Sequence, residues 1–127
     1  MSAFLTKLWL EHVDGDHWIV AAPLRYQSDL LHGIVVVAAG YDTDLASVPR
    51  GFWNVIPKSG KYNPAAALHD AGYTGDLRTD DGQRIRLIKS LSDQLFLEAM
   101  LISGVTPEQA RLMYRLVAEF GVKEQVP

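Results

Sequence analysis

The hydrophobic pattern of the chain changes its period once, near residue 40, and this change constrains the fold more than any other feature. Before it, the stretches "FLTKLWLEHV" and "DHWIVAAPLRYQ" flank Asp14-Gly15, and "HGIVVVAAGY" follows; all three are rich in β-branched and aromatic residues. An Asp-Gly pair between two such stretches favours a β-hairpin. We therefore predict an N-terminal antiparallel β-sheet over about residues 3–40.

The second half of the chain has a helical period. Apolar residues recur there at three-to-four spacing, and prolines stand where a first helical turn accepts them. The pattern predicts three C-terminal α-helices, at about 64–74, 83–103 and 107–120. A sheet followed by helices is an α+β arrangement, and 127 residues that are 48% hydrophobic suffice for a single domain, residues 1–127.

A long segment, "YDTDLASVPRGFWNVIPKSGKYN", connects the two halves. A connection of roughly twenty residues in a compact domain is usually functional or disordered. Its Trp53 and Ile56 gain free energy by burial, which argues against disorder. We expect an ordered long loop that folds over the helices and carries Asp44, Ser47 and Arg50.

Charge and composition exclude several functional classes. Twelve Lys and Arg residues against fifteen Asp and Glu residues give a net charge of -3 without a basic run, so no nucleic-acid partner is expected. The absence of cysteine excludes a disulfide framework, a thiolate zinc site and a cysteine nucleophile. No run approaches the roughly 18 apolar residues of a transmembrane segment. We expect a soluble protein made in the cytoplasm.

The stretch "AAALHDAGYT" places chemically active groups on an apolar helix. His69 and Tyr73 are four residues apart and share one face, with Asp70 about a quarter-turn round. In the next predicted helix Asp93 stands among apolar residues such as Phe96. A carboxylate there is costly unless a donor or a positive charge meets it. We therefore predict a hydrogen bond between His69 and Asp93.

Two interpretations of this cluster stay open on the sequence alone. In the first, His69 is a general base oriented by Asp93, Tyr73 braces a carboxylate, and Asp70 with Asp44 holds a hard cation such as Ca²⁺ or Mg²⁺. In the second, the same side chains form a buried hydrogen-bonded network that pins two helices together.

The connecting loop offers residues that suit substrate binding. The guanidinium of Arg50 can bind a phosphate or a carboxylate in bidentate fashion above His69. Ser47 lacks the G-x-S-x-G context of a nucleophile elbow, so we assign it to substrate binding with Arg50. In the structural alternative Arg50 pairs with Asp44 or Asp70, and its charge then repels a cation.

Two motifs resemble those of bacterial phospholipase A2. "HDAGY" followed by "SDQLFLEAM" is similar to the H-D-x-G-Y and D-x-x-F helices of that family. The resemblance implies that His69 is the base that activates water, Asp70 the calcium-binding carboxylate, Tyr73 a supporting phenol and Asp93 the partner of the histidine. The disulfides and the glycine-rich calcium loop of that family have no counterpart here.

Four motifs spread over nearly the whole chain resemble a second family. "TDLASVPRGFW", "KYNPAAALHDAGY", "SDQLFLEAM" and "ARLMYRLVAEFG" are similar to domain-of-unknown-function family 1353, small proteins encoded by tailed phages and prophages. The resemblance implies a viral or prophage origin, synthesis in the host cytoplasm and association with the virion. It implies no established activity.

These observations lead to two hypotheses about function. The first is a small metal-assisted hydrolase that acts on a phospholipid or on another cell-envelope ester or amide. The second is a non-catalytic phage component, such as a tail or baseplate accessory protein or a host-interaction factor, in which the cluster only stabilises the fold. The N-terminal strands carry Phe4, Leu8, Trp9 and Trp18, which is more aromatic and apolar surface than such strands need, and we expect them to contact a phage or host protein.

Overall fold

The computed structural model describes residues 1–15, 17–43, 45 and 60–120. Within these residues it contains eight β-strands and three α-helices, in the order β1 (Ala3–Phe4), β2 (Leu10–Asp14), β3 (His17–Val20), β4 (Leu24–Ser28), β5 (Gly33–Val37), β6 (Asp42–Thr43), α1 (Asn63–Thr74), β7 (Leu77–Thr79), β8 (Arg84–Ile85), α2 (Lys89–Ile102) and α3 (Pro107–Phe120). The predicted connecting loop falls mostly on residues outside the described ranges.

The strands pair in antiparallel fashion, as predicted for the first half of the sequence, but within the described residues they form two sheets where one was expected. One sheet has the order β1-β4-β5-β7-β8, and the other has the order β2-β3-β6. In the larger sheet the alternating pattern buries one face, because Leu24 and Tyr26 of β4 and Val35 and Val37 of β5 are all fully or almost fully buried. The period of two therefore sets which face packs on the helices.

Strands β7 and β8 correct the prediction that the sheet ends near residue 40 and that a helix starts near residue 83. β7 pairs with β5, β8 pairs with β7, and α2 begins only at Lys89. Leu77 pairs with Ile85 on the core side, while Arg78 pairs with Arg84 on the other side. So short a hairpin contributes only two apolar positions, too few to distinguish a strand period from a helical one.

The helices confirm the α+β class and pack on the core face of the larger sheet. α3 has the predicted bounds, and α1 begins one residue earlier than predicted. The alanines of α1, Ala65, Ala66, Ala67 and Ala71, are fully buried, and their small side chains suit the close packing of α1 against α2. α1 ends at Thr74 and is capped by Gly75, whose φ of 82° is the left-handed conformation that favours glycine at a helix C-terminus.

Glu98 of α2 ties this helix to the end of β4. Its carboxylate accepts hydrogen bonds from Tyr26 Oη at 2.7 Å, Ser28 Oγ at 2.9 Å and the backbone N–H of Leu30 at 2.9 Å. Burial raises the pKa of Tyr26 well above its usual value, and the hydrogen bond to Glu98 raises it further. The tyrosine therefore stays a donor, and the sheet and the helix are joined by a polar anchor.

None of the helices in the part of the chain that the structure describes has the length and the apolar character that crossing a bilayer requires.

Candidate functional site

His69 of α1 and Asp93 of α2 form the predicted pair. His69 Nε2 lies 2.7 Å from Asp93 Oδ1, and the two residues are only 7% and 3% exposed. The contact joins two adjacent helices whose other facing residues are mainly apolar, so the pair is the polar centre of this interface. The contact that was predicted from the cost of a buried carboxylate is confirmed. The catalytic role of the pair stays a prediction.

Lys89 is a third member of the cluster, and the sequence analysis missed it. Its Nζ lies 2.7 Å from Asp93 Oδ2 and donates to the backbone carbonyls of Val117 at 2.9 Å and Ala118 at 3.4 Å. Lys89 precedes Asp93 by four residues, a spacing at which side chains meet on a helix. This spacing is the sequence feature from which the contact between Lys89 and Asp93 could have been predicted. The contact with the end of α3 has no comparable sequence signal.

The surroundings of Asp93 keep its carboxylate ionised. Burial raises the pKa of Asp93, but the hydrogen bonds from His69 and Lys89, together with the attraction of these groups, lower it by more. The net result is an Asp93 pKa below its usual value of 3.8. Each carboxylate oxygen has a separate donor, which fixes the orientation of the group.

Aromatic rings surround the imidazole of His69. The ring centroid of Phe96 lies 5.1 Å away in a tilted arrangement, and the ring of Tyr73 lies 6.4 Å away and is stacked at 28°. Tyr73 is therefore beside His69, as its spacing of four residues predicted. The proposed bracing of a carboxylate by its hydroxyl stays a prediction.

Asp70 points to a different part of the molecule. Its Oδ2 accepts a hydrogen bond from Thr43 Oγ1 of β6 at 2.5 Å. It also lines an open cleft of about 390 Å³, together with His17, Tyr41, Asp42, Thr43 and Thr74. His69 and Asp93 do not line this cleft. Consecutive residues of α1 thus serve two regions, with His69 directed to α2 and Asp70 directed to β6.

The predicted cation and substrate contacts depend on residues outside the described ranges. Asp44, Ser47 and Arg50 all lie there, so their placement relative to Asp70 and His69 stays a prediction. In the described part of the chain there is no group of three or more His, Asp or Glu residues arranged to hold a metal ion. Of the two residues predicted to hold a hard cation, Asp70 is the one that lies within the described ranges.

A second histidine–aspartate pair borders the cleft. His17 of β3 lies with its Nδ1 3.1 Å from Asp42 Oδ1 of β6, and both side chains are 58% exposed. The pairing of His17 with Asp42 follows from the antiparallel contact between β3 and β6, which no local pattern indicates.

Comparison with models of protein families gives a match. The model of a family described as Protein of unknown function (DUF1353) matches residues 18–117. This range includes the two sequence motifs that contain His69 and Asp93. Among the curated proteins and among the solved structures, no match is found.

Proposed function

Since the chain belongs to the family described as Protein of unknown function (DUF1353), no activity comes with its family, and we propose that it is a small hydrolase. Its substrate is a phospholipid or another ester or amide of the cell envelope. The observation that carries this proposal is the 2.7 Å hydrogen bond between His69 Nε2 and Asp93 Oδ1. In such a pair the carboxylate orients a histidine that works as a general base.

The proposed reaction uses both nitrogens of the imidazole. Nε2 of His69 is engaged with Asp93, and we assign the acceptance of a proton from water to the other nitrogen, Nδ1. The resulting hydroxide attacks the carbonyl carbon, and the tetrahedral intermediate then collapses as His69 returns the proton to the leaving group. The ionised Asp93 stabilises the imidazolium between these two transfers.

The remaining parts of the proposed site come from the sequence. We assign Asp70 and Asp44 to a Ca²⁺ or Mg²⁺ ion, which would polarise the substrate carbonyl when bound. Arg50 and Ser47 are assigned to the phosphate or carboxylate of the substrate. The open cleft that Asp70 lines supports this part of the proposal, since it gives solutes access to the residue that follows His69.

A phage or prophage origin, synthesis in the host cytoplasm and association with the virion are part of the same proposal and rest on the sequence motifs. Contact with a phage or host protein is proposed for the N-terminal strands. Of the residues named for this surface, Trp9 is 59% exposed, whereas Phe4, Leu8 and Trp18 are partly buried against the core. Leu5 and Val13, which are near Trp9 in the sequence, are also exposed. Exposed apolar side chains close together in a chain are typical of a protein-binding surface.

The hydrolase is tested by assaying the purified protein with fluorogenic phospholipids, short-chain esters and amides, in Ca²⁺, in Mg²⁺ and in a chelator. We expect turnover that His69→Asn abolishes and that Asp93→Asn lowers by roughly 100-fold or more. His12→Gln is the control, because His12 is an exposed histidine of the hairpin that contacts the Gly15 carbonyl. Activity that survives His69→Asn would disprove the proposed base.

A specific observation favours a second candidate, a non-catalytic phage accessory protein in which the cluster is structural. Lys89 shares Asp93 with His69 and also binds the last turn of α3, so the cluster joins all three helices. If no substrate is turned over by a folded protein, and His69→Asn only lowers its melting temperature, the second candidate is the correct one.

A further inference from the structure

A polar groove runs along the side of the molecule away from the His69–Asp93 pair. The cleft beside Asp70 and a second cleft of about 470 Å³ share Tyr41, Asp42 and Thr74 as lining residues, so the two are continuous. The second cleft extends to Asp76 and Arg78. We call this continuous feature the Tyr41 groove.

Hydrogen bonds hold the walls of the Tyr41 groove in place. Thr74 Oγ1 donates to Asp76 Oδ2 at 2.7 Å and lies 3.2 Å from the hydroxyl of Tyr41. His17 holds Asp42 through Oδ1, and among the described residues Oδ2 of Asp42 has no hydrogen-bond partner. The groove therefore presents fixed acceptors before any ligand arrives, which lowers the entropic cost of binding.

Arg78 supplies a hydrogen-bond donor at the end of the Tyr41 groove that is farther from Asp70. The strand registers place it on the outer face of the larger sheet, in one cross-strand row with Arg25 and Arg84. Arg25 is paired with Asp80 at 2.9 Å, and Arg84 is paired with Asp76 at 2.5 Å.

Arg78 differs from both of these neighbours. Among the described residues it pairs with no carboxylate; its Nη1 donates only to the Gly82 carbonyl at 3.3 Å, and its Nε is buried without a partner. A guanidinium has five N–H donors. Arg78 lines the second cleft, and its guanidinium is not used in an ion pair among the described residues, unlike those of the other two arginines.

The groove is lined by carboxylates and by a guanidinium, and this combination favours some classes of ligand over others. An anion would be repelled by Asp42 and Asp70, and the described residues do not form a three-ligand metal site. A hydroxyl group donates and accepts at once, so it can bond a carboxylate and a guanidinium in turn. The small residues Ala38, Ala39 and Gly40 also line the second cleft and add no charge to it.

We propose that the Tyr41 groove binds a neutral glycan. Sugar hydroxyls donate to Asp42 at one end of the groove and accept from Arg78 at the other end. The groove includes Asp70, which the proposed hydrolase also uses. Binding of a glycan requires no turnover, so it is measured independently of hydrolysis.

Saturation-transfer NMR and calorimetry with chitotetraose and maltotetraose test the proposal, with trigalacturonate as the anionic comparison. We expect at least one neutral oligosaccharide to bind at millimolar concentration and more tightly than trigalacturonate. Arg78→Gln and Asp42→Asn should each weaken this binding about tenfold. Arg25→Gln is the matched control, because Arg25 lies in the same row but outside the groove, and it should change the affinity by less than about twofold.

Three results would overturn the proposal. They are the absence of binding by either neutral oligosaccharide to the folded protein, tighter binding of trigalacturonate, and an equal loss of affinity in Arg25→Gln and Arg78→Gln. Asp42→Asn provides a second variant that folds, since its side chain is exposed and takes part in no core packing. A normal NMR spectrum of each variant confirms that the comparison is between folded proteins.

Discussion

Asp93 is the residue on which the cluster depends most. His69 engages one of its carboxylate oxygens and Lys89 engages the other. The pair with His69 was predictable because a carboxylate among apolar neighbours needs a donor. The second donor could have been predicted in the same way, since Lys89 stands four residues earlier on the same helix. Lys89 and Asp93 therefore belong in any sequence-based search for related clusters.

Asp93→Asn should lower the free energy of unfolding by about 3 kcal/mol, because it removes one partner from a buried charged network and leaves the ammonium of Lys89 without its counter-charge. Urea denaturation at neutral pH measures this. Asp80→Asn is the control: Asp80 is paired with Arg25 on the surface, and its loss should cost less than about 1 kcal/mol. Equal costs for the two variants would show that the buried pair contributes no more than a surface one.

The lowered pKa of Asp93 predicts how this stabilisation depends on pH. A carboxyl group whose pKa is lower in the folded than in the unfolded state stabilises the fold above its unfolded pKa. This stabilisation is lost as the pH falls below the usual value of 3.8 and then through the folded pKa. The difference in unfolding free energy between the wild type and Asp93→Asn should therefore shrink as the pH falls from about 5 through the folded pKa.

Denaturation series on both proteins at several pH values measure this difference. Asp29, whose pKa is lowered by the N-terminal ammonium group, is present in both proteins, so its contribution cancels. A difference that grows as the pH falls would contradict the assignment of an ionised Asp93.

Among the secondary-structure elements, those with a long regular pattern were predictable and the short ones were not. α3 repeats its apolar residues over four turns and was predicted with its observed bounds. β7 and β8 have three and two residues, and their strand character comes from pairing with β5 rather than from their own sequence. Tertiary contacts determine the secondary structure of such short segments.

The anchor between α2 and β4 gives a prediction at this scale. Glu98→Gln should cost about 2 kcal/mol, because an amide has one oxygen where the carboxylate uses both, and its NH₂ group then faces a donor. The hydroxyl of the fully buried Tyr26 is one of the donors that could lose its acceptor. Glu119→Gln, at an exposed position of α3, should change the stability by less than about 0.5 kcal/mol. A neutral effect of Glu98→Gln would show that water replaces the carboxylate there.

For the whole molecule, the sequence indicated the layers of the fold, but it gave less information about which elements contact each other. The change of period near residue 40 indicated a sheet beside helices, and the helix spacing placed His69 toward Asp93. The separation of Asp70 from His69 was not predictable, because it depends on the contact between α1 and Thr43 of β6. The same holds for Lys89 and the end of α3, which meet only through the packing of α2 against α3.

Lys89 gives the last prediction, because it is the polar link from α2 to the C-terminal turn of α3. The last carbonyls of a helix have no partner within it, and the ammonium of Lys89 satisfies those of Val117 and Ala118. Lys89→Met keeps the apolar stem and removes the charge. Amide hydrogen exchange should then be about tenfold faster in the second half of α3, while α1 changes less.

The control for this experiment is Lys7→Met, which removes a charge from an exposed lysine and should leave exchange in α3 unaltered. Because α3 packs mainly against α2, it is the helix that opens most readily without global unfolding. An equal acceleration in all three helices would mean that Lys89 acts only on global stability through Asp93. Unchanged exchange in α3 would mean that water satisfies those carbonyls as well as the ammonium does.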